Sequence, residues 1–427
     1  MNESVFILRG DICCSRSLTE LTVQKDGYVV CRDGISEGIY ERLPDRYKDC
    51  PVRDTKGALI LPGLVDLHIH APQYTFRGLG MDLELLEWLN EHTFPEEAKY
   101  ADIEYAKEAY GRFVEKLKYS ATTRACIFGT IHVPATEYLM DLLEQSGLCT
   151  MVGKVNMDRN APDPLAEQSA DKSAYDTVEW VKDCLKRYRK TKPILTPRFI
   201  PTCTDALMEN LKKIQMRYGL PVQSHLSENV SEVGWVQELC PGSEFYGDAY
   251  DRFGLFGADT RTVMAHCVYS GVQERRRMKE NGVFAAHCPE SNMNLSSGIA
   301  PVRAFLDEGI PTGLGSDVAG GSTEDLFAAM AHAIQASKLR WRLVDDTLKP
   351  LTAAESFYLA TKGGGEFFGR VGSLEEGYEF DAVVIDDSAV SDREKAEISE
   401  RLERLIYLSS EAKITGKFAA GEEIFWR

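Results

Sequence analysis

Short apolar runs alternate with longer amphipathic stretches through the middle of the chain. Eight runs read as strands: GLVDLHIHA, TTRACIFGT, LCTMVGKVNM, KPILTPRF, PVQSHLSE, RTVMAHCVY, GVFAAHCPES and IPTGLGSDV. Each is short, largely apolar and free of the 3.6-residue periodicity that marks a helix. Stretches such as 101–118, 174–188 and 205–217 place apolar residues on one helical face and fall between the strands. This alternation predicts βαβ units and a parallel sheet. Eight such units over roughly 300 residues match an α/β fold of the (β/α)8 barrel type with insertions. An open doubly wound sheet is the rival. The run GGGEFFG, which starts at Gly363, follows no strand pattern, so no dinucleotide fingerprint supports that alternative.

The two ends differ from the middle. From Val5 to Arg53, runs such as SVFILRG and LTVQKDGYVVC are broken by Asp-Gly turns, and the tail repeats the texture in EFDAVVID and RLIYLSSEAKITGKFAAGEEIFW. These segments predict one small composite β domain, 1–58 with 366–427, interrupted by a catalytic barrel, 59–365.

Composition narrows the partners. The chain has 427 residues, 44% hydrophobic and 27% charged, with a formal net charge of -17. That balance suits a globular protein and argues against nucleic acid or an anionic membrane surface as partner, leaving a small substrate that is not polyanionic. The eleven cysteines form no regular framework, and the start of the chain lacks a basic segment followed by a long apolar one. A cytoplasmic protein with reduced thiols is expected. No apolar run reaches the roughly 18 residues needed to span a bilayer.

Candidate chemistry gathers at the strand ends. The first strand, LPGLVDLHIH, closes on His68 and His70, whose side chains share a face about 6–7 Å apart along the backbone. Arg198 closes the fourth strand, His225 the fifth, His266 the sixth and Asp317 the eighth. In a closed barrel these ends converge on one face. Taken singly, His225 or His266 reads as a core histidine bonded to a carbonyl, and Asp317 as a cap for the helix after Ser322. Taken jointly, histidines and an aspartate form a nitrogen and oxygen set for zinc or iron. His287 fits that set least well and reads equally as a structural residue behind it. His92, His132 and His332 fall in helical or loop stretches. Trp88, Phe94, Tyr74 and Phe76 read as core, with those near His70 able to line a pocket mouth. No lysine closes the fourth strand, so a carbamate bridging two metals is not expected. The signatures H-x-E with P-C-x-x-C, H-E-x-x-H and the phosphate loop are absent, and Arg275 to Arg277 read as a solvated helix face.

In this order, PGLVDLHIH, QSHLSE, VMAHCVY and GLGSDVAGG resemble the amidohydrolase superfamily, in its single-metal deaminase branch. The resemblance runs from about Leu61 through Asp386. The runs HIHAPQY, LLEWLNEHTFPEE, VGKVNMD, TPRF, QSHLSENVSEV, HCPESNMNLSSG and DVAGG are similar to the guanine deaminases within that branch. The resemblance implies one zinc per chain, with ferrous iron possible, held by His68, His70, His225 and Asp317. It implies an acid/base at Glu228 and a water or substrate contact at His266. It also implies substrate contacts at Gln73, Arg198 and Phe199, and a homodimer. The implied reaction is hydrolysis of guanine to xanthine and ammonia. Alternatives are a single-metal aminohydrolase acting on a pterin, a triazine or another purine, and a barrel scaffold without activity.

Overall fold

The computed structural model describes residues 5–427. The chain begins with a meander of β1 (Val5–Ser15), β2 (Leu21–Arg32) and β3 (Ile35–Tyr40), then β4 (Val52–Pro62). β4 spans the boundary expected at 58/59, and a single residue, Gly63, separates it from β5 (Leu64–His70). The remaining parallel strands are β6 (Thr122–Phe128), β7 (Cys149–Gly153), β8 (Val155–Asn156), β9 (Lys192–Pro193), β10 (Thr196–Pro197), β11 (Val222–Leu226), β12 (Thr262–His266), β13 (Phe284–His287) and β14 (Thr312–Leu314). They fall in the eight predicted runs, the third and fourth run being split in two.

These strands form a ring in chain order. β5, β6, β7 and β9 pair in parallel, as do β11, β12, β13 and β14. A bridge from Leu195 to Val222 joins the two sets. At the other seam the Asp317 N–H donates to the His68 carbonyl at 2.8 Å, and the His70 N–H to the Val318 carbonyl at 3.2 Å. Val65, Leu67, Cys126, Ile194, Val263, Ala265, Phe284 and Ala286 make one apolar cluster with Phe367 and Val371. Only the inside of a closed ring lets strands so far apart in sequence share a cluster.

Helices cover the outside. Ile103–Tyr119, Ala170–Arg187 and Asp205–Tyr218 occupy the predicted amphipathic stretches, each started by a side-chain cap from Asp102, Ser169 or Thr204. β15 (Ala382–Asp386), β16 (Lys413–Ala419) and β17 (Glu422–Trp426) return to the first strands and complete a seven-stranded sheet of order β17-β16-β15-β4-β1-β2-β3. Its contact with the barrel is held by Arg124, at the start of β6, whose Nε and Nη2 donate to Asp381 at 2.7 and 2.9 Å. No helix among the described residues is long and apolar enough to cross a membrane. All eleven cysteines are free thiols.

Candidate metal centre and cavity

Simple alternation does not deliver the site residues to the barrel interior. Val65 and Leu67 point inward, so an unbroken strand would send His68 and His70 outward. A register shift in the β5–β6 pairing between Asp66 and Ile69 corrects this, turning both imidazoles in and leaving Ile69 in the outer core. On β12, Val263 and Ala265 point inward, and His266 is turned in by a left-handed backbone, φ 74°. Asp317 likewise has φ 47°. Non-glycine residues take this conformation at a cost that the surrounding structure must offset. Part of that surrounding is Asp66, fully buried, whose Oδ1 accepts from the His68 and Ser316 backbone N–H groups at 3.1 Å each. Its Oδ2 accepts from the Ser316 hydroxyl at 2.6 Å. The carboxylate thus pins the end of β5 to the residue before Asp317.

The side chains meet tightly. His70 Nε2 and His225 Nε2 face each other at 3.2 Å. Asp317 Oδ1 lies 3.1 Å from His68 Nε2 and 3.5 Å from His70 Nε2, while its Oδ2 is 3.8 Å from His266 Nε2. The His68 contact is close without the alignment of a hydrogen bond, and His68 Nε2 is otherwise unpartnered. His225 Nδ1 faces the Arg198 carbonyl at 2.6 Å, so that nitrogen carries the proton and Nε2 turns a lone pair to the group. His266 Nδ1 faces Asn292 Oδ1 at 2.9 Å with the same consequence. Burial, with neighbouring His68, holds His70 and His225 well below the usual imidazole range, and burial pushes His266 down to about 4. Burial alone would raise Asp317, but the surrounding histidines, His68 first, hold it below the ordinary carboxylate range. The imidazoles of His68, His70 and His225 and the Asp317 carboxylate turn converging donor atoms to one point, a set that fits a divalent ion of the zinc or ferrous type.

A cavity opens beside this group, walled by apolar and polar side chains. His70, His225, His266, Asp317, Glu228, Gln73, Arg198 and Phe199 all border it. Every residue expected at the site therefore lines the cavity except His68, which lies against it through Asp317. The helix Val230–Leu239 is capped by Asn229 and Glu232, and Glu228, just before it, is buried. Its Oε2 is 3.4 Å from His266 Nε2 and its Oε1 has no hydrogen bond. Burial, then the carboxylates of Glu232 and Asp317, raise its pKa well above that of an ordinary glutamate. Arg198 and Phe199 both reach the cavity because β10 ends at Pro197, so strand alternation no longer separates them. Phe199 also packs edge-on to Trp235, ring centres 6.2 Å apart.

Other expectations resolve plainly. Asp317 caps no helix; Asp325 caps Leu326–Leu343. His287 is buried with neither ring nitrogen bonded, and Trp88 is a cavity wall. Two residues went unassigned from the sequence. Glu97 accepts from Gln73 Nε2 at 3.0 Å and from Arg198 Nη1 at 2.5 Å, and Asn292 orients His266. Both lie inside runs that resemble a known family, but nothing in their spacing marks a role.

The amidohydrolase family pattern matches residues 59–424. The chain is 38% identical over 393 residues to the guanine deaminase of Mus musculus, covering 88% of this chain and 86% of that protein. It is 35% identical over 379 residues to the guanine deaminase of Escherichia coli (strain K12), covering 86% and 82%. It is also similar to the crystal structure of guanine deaminase from C. acetobutylicum with guanine bound in the active site. There the TM-score is 0.95 at 46% identity, with 99% of this chain and 100% of that chain covered.

Proposed function

Because the chain belongs to the amidohydrolase family, we propose that it hydrolyses guanine to xanthine and ammonia in the cavity beside His70 and Asp317. The observation that carries this reading is the convergence of His68, His70, His225 and Asp317, the last three lining the cavity, with the buried Glu228 at the barrel's strand ends. His68, His70, His225 and Asp317 would hold one divalent ion, and zinc suits their three nitrogens and one oxygen. When bound, such an ion supplies a nucleophile at neutral pH by lowering the pKa of water from about 15.7 to about 7.

The chain's own groups do the rest. The purine ring is a poor electrophile and its amino group a poor leaving group, so water must give up both protons, one to the ring and then one to the amine. Glu228 takes one proton from the water and passes it to ring N3 beside the attacked C2, then carries the remaining hydroxyl proton on C2 to the departing amino nitrogen as the C2 carbonyl forms. Its raised pKa suits a group that must hold a proton between those transfers. His266, with its Nδ1 proton committed to Asn292, offers Nε2 as acceptor and orients the water. Arg198 and Gln73 face the carbonyl edge, and Phe199 offers a ring face for stacking, a contact of about 1–3 kcal/mol for a base on an aromatic.

Ammonia release across a panel of purines, pterins, triazines and pyrimidines tests the reading. Guanine should yield ammonia and xanthine in equal amounts. Release from a pterin or triazine but not guanine would transfer the substrate assignment, and no release from any of them would favour a scaffold.

A further inference from the structure

Glu97 has a place in the geometry but not yet in the chemistry. It sits in Phe94–Ala98, at the end of segment 85–98, whose Leu85, Trp88 and Leu89 line the cavity. Glu97 is 2% exposed, and its two oxygens serve different partners. Oε1 accepts from Gln73 Nε2 at 3.0 Å and Oε2 from Arg198 Nη1 at 2.5 Å. Both partners border the cavity, Gln73 from the turn after β5 and Arg198 from just after β10. Gln73 Oε1 is already taken by the Ala319 N–H at 3.1 Å. The Arg198 guanidinium also lies 5.3 Å from the centre of the Phe94 ring, on the same segment.

This chain of bonds has one polarity. A carboxylate only accepts and a guanidinium only donates. Glu97 therefore holds the Gln73 amide nitrogen as a donor, while the Ala319 N–H occupies the amide oxygen. What Gln73 and Arg198 have left over are N–H donors. We propose that Glu97 is a positioning residue that fixes the hydrogen-bonding polarity of the pocket, setting the orientation of the Gln73 amide and the place of the Arg198 guanidinium so that both present donors and the site selects a base with a ring carbonyl. The inference rests on the functional reading above and adds to it the group that enforces the choice. A merely structural ion pair would stabilise the chain without changing what the cavity prefers.

Binding of hypoxanthine and purine to the metal-loaded protein, measured by calorimetry, tests this without depending on turnover. Hypoxanthine has the six-position carbonyl and purine lacks it. The wild-type chain should prefer hypoxanthine by roughly 10–100-fold, the scale of a hydrogen bond to a charged group. Glu97→Gln should shrink that preference at least severalfold with metal content unchanged. Combined with Arg198→Leu, its loss should be smaller than the sum of the two separate losses. Equal preference in wild type, an unchanged preference in Glu97→Gln, or equal weakening of both ligands would overturn the proposal. The double variant buries no unpaired charge, so it keeps the measurement available if either single variant misfolds. A preference retained there would also overturn it. Absence of ammonia release from guanine by the wild-type chain counts against the functional reading. Release with a preference indifferent to Glu97→Gln counts against this inference alone.

Discussion

Two of the places where buried polar groups gather in this chain are treated differently. Where the seven-stranded sheet meets the barrel, the buried charges are matched by partners. Asp381 receives Arg124 twice, the Thr123 hydroxyl and the Ala420 N–H. Arg401, wholly buried, donates to both oxygens of Asp387, to Asp11 and to the Gly57 carbonyl. Lys417 donates to the carbonyls of Leu117, Lys118 and Ser120 at the end of Ile103–Tyr119, replacing the partners a helix terminus lacks. At the cavity, by contrast, His68 Nε2, His70 Nδ1 and Glu228 Oε1 are buried without a hydrogen bond. An unpaired buried polar atom costs about 1–3 kcal/mol, and native structures hold few of them. The closed networks hold two sheets together. The open one is kept for something the chain does not itself contain.

The comparison breaks most visibly at the metal-type histidines. His225→Ala removes a lone pair from the open set, so the purified protein should lose most of its metal and its activity should fall to background. Elemental analysis beside ammonia release checks both, and full metal content in the variant would remove His225 from the set. Glu228→Gln comes next. It preserves size while abolishing proton transfer, so metal should stay and kcat should drop by roughly 10²–10⁴. A small kcat change with lowered thermal stability would make Glu228 part of the packing.

The closed networks should respond in the opposite sense. Asp381→Ala leaves the buried Arg124 with Glu379 as its remaining acidic partner and should cost up to about 3–5 kcal/mol of stability, with kcat per folded molecule unchanged. Urea unfolding and steady-state kinetics on the same preparation separate the two effects. A lost kcat without lost stability would contradict the division of labour.

How much of this division was legible in the sequence follows from where each signal comes from. The eight strands were readable because burial on both faces leaves near-continuous apolar runs, and the strand-end residues stood out as polar interruptions. The turn of His68 and His70 into the barrel was not readable, because it depends on a register shift against β6 that apolar patterning does not encode. Glu97 looked like one of many helix glutamates. Its importance comes from Gln73 and Arg198, 24 and 101 residues away. Lys417 likewise reads as a surface lysine in a polar strand until the end of Ile103–Tyr119 is placed above it.

A finer contrast concerns His287, an unpaired buried ring that borders no part of the cavity. Burial, with His266 nearby, pushes it down to about 4, whereas an unfolded chain titrates near 6.5. Between those values the unfolded state binds more protons, so His287 withdraws stability as pH falls through that window. Glu232 and Asp66, raised by burial to about 7 and about 6, act in the opposite direction, losing stability as pH rises. The diagnostic quantity is therefore the difference between wild type and His287→Leu. Relative to the variant, wild type should lose up to about 1.4 kcal/mol per pH unit between pH 6.5 and 4. Parallel curves would mean that His287 is not titrating differently on folding.

An open cluster that holds an ion, beside a cavity that deaminates guanine, ties activity to metal content. One experiment addresses it directly: metal content and ammonia release from guanine, followed together through chelation and reloading with zinc. About one metal per chain, activity that falls with chelation and returns with zinc, and xanthine equal to ammonia are the predicted results. Full ammonia release from a chain stripped of metal would contradict the account.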